Sequence, residues 1–143
     1  MITENYIKMC EQAKEIQKWY LDSENERLKN SWLFEYDVFA CREHRTIFRL
    51  HTYYICPAVE GNLCNRRDNM IWLPTQEQLQ EMILKNDWGV DIIFKFKYWI
   101  EENMFKAIPL SKYCLTELWL VFVMKEKWNK IWTGKKWEVQ TNG

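Results

Sequence analysis

The sequence has little of what enzymes commonly use at a reacting centre. It holds two histidines, four glycines and three prolines in 143 residues. It contains no glycine-rich phosphate loop, no GxSxG elbow and no HExxH helix, which leaves few ways to build a nucleophile or a metal-activated water. The cysteines, Cys10, Cys41, Cys56, Cys64 and Cys114, number five and include no CxxC pair, so no disulfide framework is expected. No stretch approaches the ~18 consecutive apolar residues of a membrane span. The opening "MITENYIKMCEQAKEIQ" is polar and helical, unlike a secretory signal. Neither sign of charge is in excess. Twenty basic side chains meet twenty acidic ones, which argues against a general nucleic-acid binder. Together these absences predict a reduced, cytoplasmic, non-enzymatic protein with no cofactor.

What the chain does have is rings. Aromatic residues reach 16% and nine of them are tryptophan. Large rings bury much area for little entropy, so they serve both as core and as interface anchors. With 48% hydrophobic residues, the length suits a single domain spanning 1–143.

The spacing of apolar residues predicts the elements. Tyr6, Met9, Cys10, Ala13, Ile16 and Tyr20 recur at three and four, giving one stripe on a helix that starts near Thr3. From Trp32 the period becomes two. Trp32, Phe34, Tyr36, Val38 and Ala40 share one strand face, and Phe48, Leu50, Tyr54 and Cys56 share another. These predict a half-buried antiparallel pair joined through "REH". "PAVEGNLCNRRDN" has no period and reads as a long loop.

"MIWL" is a further strand, and "PTQEQLQEMI" after it is a helix opened by a Thr75/Gln78 capping box, with Leu79, Met82 and Ile83 inward. Residues 90–104 fit two periods. Val90, Ile92, Phe94, Phe96 and Tyr98 alternate as in a strand, while Ile92, Ile93, Phe96, Trp99 and Ile100 fit a helix. The polar "EEN" that follows without a turn signal tips the reading to helix. A helix from near Thr116 is apolar nearly all round between Leu118 and Met124 and should be central. Trp132 and Trp137 flank a Thr-Gly-Lys-Lys turn, which predicts a hairpin with its rings in contact. The fold expected is α+β: a small antiparallel sheet over 32–73, packed by three or four helices and closed by a C-terminal hairpin.

Two constellations have chemical potential. All six arginines lie between Arg27 and Arg67, and no lysine occurs between 30 and 84. On the strand reading Arg45, Arg49 and His51 share an outer face, with Tyr53 as a stacking surface and Arg66 and Arg67 on the following loop. Arginine grips phosphate or carboxylate through two parallel hydrogen bonds, so this face suits a nucleotide or an acidic partner. A solvated sheet face with cross-strand pairs to Glu35 and Asp37 accounts for the same residues. The other constellation is Cys41, His44, Cys56 and Cys64, four zinc-type ligands within 24 residues. Their spacing matches no common zinc ribbon, and Cys41 and Cys56 occupy strand positions where a small apolar residue is expected anyway.

Three segments carry a resemblance: "YIKMCEQAKEIQ", "WLPTQEQLQEM" and "LWLVFVMKEKWNKIWTGKKW". Together they cover about a third of the chain, and none of residues 32–70. The pattern W-L-P-x-Q-x-Q-L-Q-E-M followed by L-W-L-x-F-V-M-x-E-K-x-x-K-x-W-x-G-x-x-W resembles a family of small phage and prophage proteins of Gram-positive bacteria. The resemblance implies a context and no chemistry: a phage-derived accessory protein in the host cytoplasm. Proteins of that kind often bind a host factor, which is analogy. The expected function is therefore binding of a host protein, such as a component of a defence system. The alternatives are a sponge for a phosphate-bearing nucleotide signal at the arginine face, and a zinc-stabilised interaction module.

Overall fold

The computed structural model describes residues 2–27, 37–49, 69–84, 89–103 and 110–141. The architecture is α+β. Contacts gather into two compact units, Met1–Pro74 and Thr75–Gly143.

The first unit begins with α1, Glu4–Gln12, and α2, Lys14–Arg27. Thr3 caps α1, its hydroxyl accepting from the Tyr6 amide at 2.9 Å. The predicted stripe is real: Tyr6, Met9, Cys10, Ala13, Ile16 and Tyr20 are all buried. The helix nevertheless breaks at Ala13, whose φ of −82° and ψ of 75° leave the helical region. Gln17 takes up a carbonyl at the break, its Nε2 donating to Cys10 O at 3.1 Å. The same amide reaches strand backbone. Nε2 donates to Trp72 O at 2.9 Å, and Oε1 accepts from Trp72 N at 2.8 Å.

The sheet has three strands, β1 (Val38–Cys41), β2 (Ile47–Arg49) and β3 (Met70–Trp72), in the order β2-β1-β3. Both pairings are antiparallel, with Phe39 opposite Phe48 on one side and opposite Trp72 on the other. As the middle strand, β1 is buried at every residue, so Phe39 and Cys41 are as enclosed as Val38 and Ala40. Trp72 stacks on Trp19 with centroids 5.7 Å apart and tilts onto Tyr20 at 4.7 Å. The Tyr20 hydroxyl donates to buried Asp37 at 3.0 Å. Asp37 therefore faces inward, where the strand reading makes it a surface partner for arginine. The Tyr6 hydroxyl donates to the carbonyl of Pro74.

In the second unit, α3 (Gln76–Ile83) opens with the capping box. The Gln78 amide donates to the Thr75 hydroxyl at 3.2 Å, and the Thr75 amide donates to Gln78 Oε1 at 2.9 Å. Residues 90–103 are helical, within α4, Gly89–Asn103. A single 3-10 turn at Leu110–Lys112 precedes α5, Leu115–Trp128, in which six consecutive residues from Trp119 to Met124 are buried. The core is a ring cluster. Phe96 of α4 stacks on Trp119 of α5 with centroids 3.9 Å apart, while Phe122 meets Phe96 at 5.3 Å and Trp99 at 5.5 Å. Asn129, left-handed at φ 51°, ends α5, and its side chain donates to Gln140 O. The hairpin β4 (Lys130–Trp132) and β5 (Trp137–Val139) follows, with the Trp132 and Trp137 rings 5.1 Å apart. Five α-helices appear among the described residues where three or four are expected, the difference being the break at Ala13. None is long and apolar enough to cross a membrane.

Candidate functional site

Arg45 does not lie on a strand as the alternation predicts. Arg45 lies ahead of β2, in the turn that leaves β1, with φ of 57°. That turn closes on Cys41, whose carbonyl accepts from the Arg45 amide at 2.7 Å and whose amide donates to Thr46 O at 2.9 Å. The left-handed residue turns the Arg45 side chain toward α1. Its Nη2 lies 2.7 Å from Glu11 Oε2 and its Nε 3.3 Å from Glu4 Oε1. Arg42 takes the other oxygen of Glu11 at 3.2 Å. Arg45 is thus compensated by two carboxylates of its own chain, and its Nη1 is buried with no hydrogen-bond partner. Arg49 is the last residue of β2, opposite Val38. His51, Tyr53, Arg66 and Arg67 lie outside the described residues.

Of the thiol and imidazole set, the structure places two. Cys41 is fully buried in β1, and its Sγ lies 3.5 Å from Nδ1 of exposed His44 in the turn. Cys56 and Cys64 lie outside the described residues. Among the described residues, no three His, Cys, Asp or Glu side chains are grouped to hold a metal ion. None of Cys10, Cys41 and Cys114 is in a disulfide.

Sequence patterning misses two features, and both belong to the second unit. One is the outer face of α4. Val90, Ile93, Phe94 and Tyr98 are 62%, 63%, 51% and 60% exposed. Spacings of three and four put them in one stripe, opposite the buried Ile92, Phe96 and Trp99. A helix that buried only one face would carry mostly polar residues there, whereas this one shares its outer face between these four and the Lys97–Glu101 pair.

The other is a cavity of about 440 Å³ where the end of α4, the 3-10 turn, α5 and the hairpin meet. Trp99, Leu110, Val121, Ile131 and Trp132 make its apolar wall. Glu102, Asn103, Tyr113, Lys125 and Gln140 supply its polar groups. The Asn103 amide is already engaged, donating to Trp99 O at 2.7 Å. Among the described residues, Lys125 has no carboxylate partner, and the Tyr113 hydroxyl and Gln140 side-chain amide have no hydrogen bond. Burial, and then the nearby Glu117 carboxylate, raise the Tyr113 phenol above its ordinary pKa. It therefore stays a hydrogen-bond donor at neutral pH. The hairpin tryptophans, by contrast, are not surface anchors, since Trp132 and Trp137 are buried against each other.

Comparison with protein-family models, with curated proteins and with solved structures finds no match to this chain.

Proposed function

We propose that this chain is a non-enzymatic binding protein that docks onto another protein through the outer face of α4. The observation that carries the reading is the exposed row of Val90, Ile93, Phe94 and Tyr98. Contiguous apolar side chains on a helix surface are costly to leave in water and mark interaction sites. A helix presenting anchors at three- and four-residue spacing is one of the recurring modes of partner recognition. Each anchor of this size contributes on the order of 1.5–3 kcal/mol when fully buried, before the cost of association is subtracted. Asp91 flanks the row. Lys97 and Glu101, paired at 3.7 Å, continue the same face beyond Ile93 and Phe94, so the row is apolar with charge at its edge and C-terminal end. The sequence resemblance to phage and prophage proteins of Gram-positive bacteria supports a host protein as the partner, such as a defence-system component.

The experiment is capture from a Gram-positive host lysate, with bound proteins identified by mass spectrometry. Wild type should retain a specific protein that the Phe94→Glu, Tyr98→Glu double variant does not, with unchanged melting temperature because both side chains are exposed. Retention undiminished in the folded variant would place the contact elsewhere. Concentration-dependent dimerisation abolished by the same variant would make the face a contact between copies and overturn the reading.

A further inference from the structure

We draw no further inference here: the strongest candidate, the cavity of about 440 Å³ where α4, α5 and the hairpin meet, selects no ligand class, since Trp99 and Trp132 are buried against other rings and Glu102 with the neighbouring acceptor oxygens balances Lys125 and the donors.

Discussion

Arg45 and Glu11 form a close ion pair at 2.7 Å, and it exists because Arg45 adopts a left-handed backbone conformation. The extended backbone of a strand would have kept Arg45 in register with Arg49. The turn sends it to α1, where Glu11 is shared with Arg42. The pair ties the β1–β2 connection to the first helix. Arg45 is 35% exposed and Glu11 18%, so solvent screens the contact and its worth is modest. A double-mutant cycle of Arg45→Ala and Glu11→Ala should give a coupling of about 0.5–1 kcal/mol that shrinks at high salt. Strict additivity of the two changes would remove the pair from any account of stability.

Phe122 is 1% exposed and touches Phe96, Trp99 and Trp119 at once. Its truncation leaves a hole that three rigid rings cannot close. Phe122→Ala should cost about 3–5 kcal/mol, a large share of the ~5–15 kcal/mol typical of a folded domain. Thermal melting measures it directly, and an unchanged melting temperature would show that the ring cluster is not the core of its unit.

Tyr113 supplies a pH dependence. Its folded pKa is raised above 10.0, chiefly by burial and further by Glu117, so the folded chain holds the phenolic proton more tightly than the unfolded chain. The resulting stability is complete below pH 10 and is lost as pH rises through the folded value. Tyr113→Phe, which cannot ionise, should therefore lose less stability than wild type above that pH. Parallel stability curves for the two proteins across the alkaline range would contradict this.

Two glycines should respond to alanine with opposite signs. Gly134, in the hairpin loop, has φ of 92°, a conformation an L side chain resists although the space around it is open. Gly134→Ala should destabilise by about 1 kcal/mol. Gly89 opens α4, its φ is not positive, and beyond its chain neighbours and its own helix backbone nothing lies within 4 Å of the place a methyl group would take. Gly89→Ala should stabilise by up to about 0.4–1 kcal/mol, because the unfolded chain loses more freedom than the folded one. Chemical denaturation of both variants checks the pair.

Local chemistry is legible where a pattern depends on neighbours in sequence. The α1 stripe, the Thr75/Gln78 box, the apolar girth of α5 and the Trp132–Trp137 hairpin all follow from spacings under ten residues. The break at Ala13 is not legible, since no glycine or proline marks it and its compensation comes from a side chain four residues on. The burial of Asp37 is hidden because its partner, Tyr20, belongs to α2. Residues 90–104 fit two periods for a reason the structure makes plain. The helix is apolar on two opposite faces, so Val90, Phe94 and Tyr98 outside combine with Ile92 and Phe96 inside to imitate strand alternation. Arg45 leaves the predicted strand face at a single backbone angle, which alternation cannot foresee. The cavity has no sequence signal, because its lining is drawn from separate elements.

The amide of Gln17 has a consequence for the chain's behaviour in a crowded solution. The Leu73 amide donates to Val38 O, so the main-chain N–H and C=O of Trp72 point away from β1, on the side where a foreign strand would add. Gln17 fills both positions, at 2.8 and 2.9 Å, as a neighbouring backbone would. One side chain thus acts as a surrogate strand and blunts an edge that could template aggregation. Gln17→Leu should leave those two groups unsatisfied and raise light scattering at high protein concentration, whereas Gln17→Glu can still accept from the Trp72 amide and should do so less. Gln17 thus bears on the chain's colloidal behaviour as well as on its fold.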